Sequence, residues 1–115
     1  MKKVERSSYA PKKFMSRSPS GKLIHYGAKG YGDYDLWKRV DPKLAEKKRR
    51  RYVTSHKAIL LKHGTPAWKN PETAEFYAQR GTWDFPRGNS FFKMVVAIRN
   101  KQLTKEERDF IASAI

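Results

Sequence analysis

The stretch GKLIHYGAKGYGDYDLWKRVDPKLAEKKRRRY, residues 21–52, changes character twice. It opens β-branched and aromatic over Lys22-Leu23-Ile24-His25-Tyr26, then breaks on Gly27, Gly30 and Gly32. It closes in a cationic run that starts at Asp41-Pro42. Those compositions favour a strand, a glycine-rich loop and a helix in turn, which predicts an α+β fold.

Upstream, Lys12 to Ser16 reads as a partner strand, because Arg17-Ser18-Pro19-Ser20-Gly21 is a strong turn signal. The pair predicts a β-hairpin over residues 12–27. A lone hairpin is marginal in water, so it must pack against helices or a partner. Residues 1–11 are polar and without period, and read as an extended basic arm. Residues 27–37 read as a Gly/Tyr loop anchored on the core by Tyr31, Tyr34 and Trp37.

Downstream, Asp41 is a helix N-cap and Pro42 suits the first helical position. The spacing predicts a basic helix over 42–63, with Gly64 near its end and Pro66 beyond. Leu44, Ala45, Tyr52, Ile59 and Leu60 are its expected inward positions. Asn70-Pro71-Glu72 starts a second helix that ends at Gly81. Asn89 or Ser90 caps a third over Phe91–Asn100, with an apolar stripe of Phe92, Val95, Val96 and Ile98. Thr104 followed by Glu107 is a capping box that opens a last helix to Ala114. The expectation is an N-terminal hairpin packed on about four helices, a single small domain over 12–115 with its C-terminal helices in 71–114.

One domain is also what 115 residues allow. The chain has no Cys, which excludes a disulfide scaffold and a cysteine zinc site. No apolar run reaches the ~18 residues of a membrane span, and the opening MKKVERSSYAPKK has no apolar segment of a secretory signal. An intracellular location compatible with a reducing compartment, not reached through a secretory signal peptide, is the expectation from these features.

The formal charge is +15, from 26 Lys+Arg against 11 Asp+Glu. Residues 1–63 hold most of the excess, and residues 64–115 are close to balanced. That asymmetry points the N-terminal half at a polyanion or an acidic protein surface. The expected binding residues are Lys12, Lys13, Arg17, Lys22 and Lys29, then Lys47, Lys48, Arg49, Arg50, Arg51 and Lys57. Five consecutive helical cations cover every face at ~100° each, so not all of them can meet one partner. Tyr26, Tyr31 and Tyr34 are candidates for base stacking, weighed against a core role.

Catalytic readings find less support. His56 and His63, seven positions apart on one helix, stand too far apart to chelate one metal unaided. The glycines match neither GxxxxGK[ST] nor GxGxxG. Asp33 and Asp35 followed by Glu46-Lys47-Lys48 suggest a metal-dependent nuclease, but positions two apart on a helix point ~200° apart. No G-x-S-x-G elbow is present. A protein that is not an enzyme, and needs no cofactor or metal, is the expectation.

Residues 21–56 resemble a family of small basic proteins of large DNA viruses and phages. Its pattern is a hairpin ending in G-x-x-[VI]-x-F-G-A-K-G-Y-x-D-Y-T, then H-K-D-P-x-R-K-x-R-Y-x-x-R-H. Gly21, Gly27, Ala28, Lys29, Gly30, Tyr31, Asp33 and Tyr34 match, as do Asp41, Pro42, Arg51, Tyr52 and His56. Pro71 to Tyr77 (PETAEFY) echoes the family's T-A-x-[FW]-[WY] segment. Asp35 stands where the family has Thr, and Ser55 where it has Arg. The resemblance implies a virion context and brings no reaction or catalytic residues with it. Together with the charge it predicts a non-enzymatic basic structural protein of a DNA virus or phage particle that binds nucleic acid through its basic arm, hairpin tip and basic helix. The expected partners are nucleic acid, non-specific DNA first, and capsid proteins of a large assembly. A minor capsid or cement protein whose arm binds shell subunits is the alternative, and a ribosome-associated protein stands behind it.

Overall fold

The computed structural model describes residues 3–114, so Met1 and Lys2 of the expected arm, and Ile115, lie outside the described residues. A three-stranded antiparallel sheet in the order β1-β2-β3 and five α-helices make an α+β architecture. β1 is Glu5–Arg6, β2 is Lys12–Arg17 and β3 is Leu23–Ala28. Alternation puts Phe14 and Ser16 of β2 opposite Tyr26 and Ile24 of β3, and all four are buried. Ser16 is tolerated there because its hydroxyl meets the Tyr26 hydroxyl at 2.8 Å.

The expected hairpin is thus corrected to two strands of three. Arg6 pairs opposite Phe14, Glu5 pairs opposite Met15, and Val4 is buried in the core. β1 covers an edge of β2 that a two-stranded hairpin would leave open. Residues 4–6 therefore belong to the folded body and not to a free arm.

A second correction concerns residues 27–37, because a helix begins inside the expected loop. α1 is Tyr34–Val40, and its N-cap Asp33 accepts from the Leu36 N–H at 3.1 Å. Asp41 then serves two helices. Its N–H donates to the Trp37 carbonyl at the end of α1, while its carboxylate accepts from the Lys43 and Leu44 N–H groups of α2 (Pro42–Lys57). α2 stops at Lys57 and not at residue 63. Ser55 turns its hydroxyl onto the Arg51 carbonyl at 2.6 Å, and the Ala58 and Ile59 N–H groups reach back only three residues. Ile59 and Leu60, expected inward, are 41% and 60% exposed, and Leu60 bridges to Pro66.

The helix expected to end at Gly81 is broken up. A 3-10 turn, Ala67–Lys69, precedes α3 (Ala74–Tyr77), which passes into a π turn over Ala78–Thr82. α4 (Ser90–Lys101) is capped by Asn89, whose side chain accepts from the Phe92 N–H at 3.1 Å. α5 (Lys105–Ala114) opens on a reciprocal capping box. The Glu107 N–H donates to Thr104 Oγ1 at 3.2 Å, and the Thr104 N–H donates to Glu107 Oε1 at 2.9 Å.

Phe14, Ile24, Tyr26, Tyr77, Phe91 and Val95 form the main apolar cluster with Val4. Tyr34, Ala45 and Phe92 form a second one, flanked by Trp37 and Trp83. A buried ion network stands beside these clusters. Arg99, 1% exposed, holds Asp33, Asp35 and Glu107, and Glu107 also accepts two bonds from Arg6. Charges this deep are retained only when paired and hydrogen-bonded. The network ties β1, α1, α4 and α5 together beneath the Gly/Tyr loop.

Candidate nucleic-acid interface

Lys13 fixes the loop. Its ammonium, 7% exposed with its residue, donates to Asp33 Oδ2 at 3.0 Å and to the Tyr31 carbonyl. The backbone of residue 31 is held from below while its ring stands 73% exposed. Gly30, at φ +86°, makes the left-handed turn that lifts Tyr31 outward. Among the described residues no side chain stacks on that ring. Tyr26 and Tyr34, the other stacking candidates, are buried at 1% and 5% exposure.

Two clefts meet under Tyr31. One, of about 430 Å³, runs from Lys12 and Gly27 on the hairpin to Tyr52, His56 and Trp83. The other, of about 350 Å³, is lined by Tyr31, Gly32, Trp37, Lys48, Arg51, Tyr52 and Trp83. A column of rings forms their common floor. Trp83 stacks on Tyr52 at 4.6 Å between centroids, and Tyr52 on His56 at 3.8 Å. Burial, with the Glu75 carboxylate beside it, pushes the Tyr52 hydroxyl above the ordinary phenol range. Glu75 also binds His56 Nδ1 at 3.0 Å, fixing the end of the column. Lys48 lies over the Trp37 ring at 4.5 Å, so its stem is packed while its charge borders the cleft. Lys29 shares a third, smaller recess with Tyr31 and Arg6.

The expected cation set divides by the faces of α2. Arg49 is on the inward face with Ala45, one turn earlier, and both are buried. Its guanidinium donates to the Trp83 carbonyl at 2.9 Å and to the Asp84 carbonyl. Arg49 and Lys13 are thus corrected from ligand-binding to interior cations, since their donors are spent on the protein. Lys47, Arg50, Arg51 and Lys57 are exposed, and Arg50 and Arg51 border a shallow depression with Thr54 and Ser55. Lys57 lies over the Trp68 and Phe85 rings at 5.3 and 4.9 Å. Arg17 and Lys22 are at the far end of the hairpin, roughly 17 Å from Lys12 along β2 at ~3.3 Å per residue. The neighbouring Ser20 is tied to Glu72 there by its N–H and hydroxyl at 3.0 and 2.6 Å. Hairpin tip and helix therefore do not form one grip. Lys12, Lys29, Lys48 and Arg51 gather around Tyr31.

The groups considered for catalysis are engaged elsewhere. Both oxygens of Asp33 are held by Arg99, and Asp35 Oδ2 accepts from Arg99 and Arg39 at 3.2 and 3.1 Å. Glu46 is bound by Arg87 at 2.7 Å. His25 meets the Ser7 hydroxyl at 2.7 Å, and His63 is exposed. Among the described residues, no three His, Cys, Asp or Glu side chains converge as a metal site, and no helix is long and apolar enough to cross a membrane.

No protein-family model, curated protein or solved structure matches the chain.

Proposed function

We propose that the chain is a non-enzymatic, basic structural protein of a DNA virus or phage particle that binds nucleic acid. The grip is the surface around Tyr31, formed by Lys12 and Lys29 on the sheet side and Lys48 and Arg51 on α2. One observation carries this reading: an exposed aromatic ring stands over recesses that cations from two elements distant in sequence line, Lys12 and Lys29 on one side and Lys48 and Arg51 on the other. Cations alone serve an acidic protein equally well. An exposed ring over an aromatic floor suits nucleic acid better, because phosphates and bases alternate along a strand. The participation of Val4 and β1 in the core weakens the alternative of an arm threading between shell subunits. The virion context rests on the resemblance of residues 21–56.

The test is binding to labelled DNA across a salt series. Affinity should fall steeply with salt, with the slope of several phosphate contacts. Binding that ignores salt, or equal binding to polyglutamate, overturns the reading. Co-purification with DNA-containing particles and loss from nuclease-treated empty ones would support the context; retention in empty shells would favour the cement alternative.

A further inference from the structure

We infer that the cleft beneath Tyr31 receives an unpaired base, so that single-stranded nucleic acid is the preferred ligand over duplex. This rests on the nucleic-acid reading above and adds the form of the ligand. Tyr31 is a large ring held in solvent, although its loop is fixed by the Lys13 bond to its carbonyl and by the turn at Gly30. With its backbone already held, Tyr31 has only its side-chain torsions to order when something stacks on the ring. Trp83 and Tyr52 lie parallel within 13° on the floor, with Trp37 at the side. Lys48 and Arg51 border the smaller of the two clefts, which no acidic residue lines; the larger one, beside Lys12, also holds Asp33 and Glu75, which are bound by Arg99 and His56.

That arrangement separates two ligand forms. Within a duplex the faces of the bases are stacked on each other, and only the phosphates and the groove edges of the bases remain open, neither of which offers a ring to stack on. An unstacked base offers a face to Tyr31 while its flanking phosphates meet Lys48, Arg51 and Lys12. Every base has such a face, so the recognition is tolerant of sequence. Duplex binding would leave the aromatic lining idle.

The experiment compares a fluorescein-labelled oligothymidylate, its duplex with oligoadenylate, and an abasic deoxyribose-phosphate strand of equal length. At physiological salt the oligothymidylate should bind at least ~10-fold tighter than the duplex and quench tryptophan fluorescence, as a base held by Tyr31 beside Trp37 and Trp83 requires. Tyr31→Ala should weaken the oligothymidylate by about 5- to 150-fold, the equivalent of one base stack, and leave the duplex unchanged. Tyr31→Phe should retain the affinity, and the abasic strand should bind the wild type as weakly as the oligothymidylate binds Tyr31→Ala. Equal affinity for abasic and base-bearing strands, or an unchanged Tyr31→Ala, overturns base capture while polyanion binding stands. Failure of all three probes to bind in a salt-sensitive way overturns both.

Discussion

Arg99 Nη1 and Nη2 hold Asp33 Oδ1 and Oδ2 at 2.8 and 2.7 Å, a bidentate pair closed across 66 residues of chain. Asp33 is also the N-cap of α1, so this pair sets where α1 begins relative to α4. The Lys13 ammonium bridges from Asp33 to the Tyr31 carbonyl, which links the network to the proposed site. Arg99→Met removes the one cation shared by Asp33, Asp35 and Glu107. Asp33, Asp35 and Glu107 each keep one other cation, Lys13, Arg39 and Arg6, so the loss is at most the ~3–5 kcal/mol of a broken buried pair, out of the ~5–15 kcal/mol of a typical domain. Urea denaturation should show that loss, and Arg99→Lys should recover only part of it, because one ammonium cannot form the fork. A variant as stable as the wild type would refute the keystone role.

Acid should unfold the protein through the same network. Burial opposes ionisation of Glu107, but Arg6, the Thr104 N–H and Arg99 outweigh it and hold its carboxyl at about 2, against an ordinary 4.5. Burial likewise opposes ionisation of Asp33, and Arg99 and Lys13 hold it well below the usual carboxylate range. A depressed folded-state pKa means the stabilisation is complete above the unfolded value. It is then lost as pH falls through the folded one. The unfolding free energy should thus be flat from neutrality to ~pH 5 and drop between ~pH 4.5 and ~2, by roughly 2–3 kcal/mol for Glu107 alone, with the thermal midpoint falling in step. Glu107→Gln should flatten that drop while lowering stability at neutral pH. A profile of unchanged shape would show that the pair does not control it.

The features legible in sequence are the local ones. Asp41-Pro42 marks a helix start because the cap and the fixed φ act within one turn, and Thr104 with Glu107 does so for the same reason. α1 was hidden because its cap, Asp33, follows three nearby glycines that read as a loop. β1 was hidden because a two-residue strand has no period to detect, and its register depends on Arg6 reaching Glu107 from the opposite end of the chain. The interior Lys13 and Arg49 look the same in sequence as their exposed neighbours. Their only local sign is spacing: Arg49 is one turn from buried Ala45, and Lys13 is next to Phe14 at the start of β2. The aromatic column could have been sought at Tyr52 and His56, one helical turn apart, but Trp83 joins it from a distant segment.

The division of the cation run predicts separable effects. Arg49→Met strips donors from the Trp83 and Asp84 carbonyls and should cost ~1–3 kcal/mol of stability. Arg50→Gln with Arg51→Gln touches exposed side chains and should shift stability by no more than ~0.5 kcal/mol. In a salt series for single strands, the double change should lower the slope by about 1.4 if both residues meet phosphates. Arg49→Met, measured where it remains folded, should leave the slope unchanged. An unchanged slope for the double variant would remove Arg50 and Arg51 from the interface.

Two glycines of the loop should fail for different reasons when replaced. A Cβ on Gly32 would run into Trp37 Nε1 and the Phe110 ring, which themselves pack edge to face at 4.9 Å. Gly30 has open space around its Cα, but its φ of +86° is unfavourable for a side-chain-bearing residue. Gly32→Ala is therefore an overpacking defect of ~1–3 kcal/mol, and trimming the obstacle with Phe110→Leu should restore part of it. Gly30→Ala is a backbone defect of ~1–2 kcal/mol that Phe110→Leu cannot relieve, whereas Gly30→Asn should be milder, since Asn tolerates the left-handed region. Thermal melting of the four single variants, and of Phe110→Leu combined with Gly32→Ala and with Gly30→Ala, decides the matter. Coupling between positions 30 and 110, or none between 32 and 110, would contradict this packing. Because Tyr31 lies between the two, both alanine variants should also weaken oligothymidylate binding more than duplex binding, and a loss confined to the duplex would place the contact elsewhere.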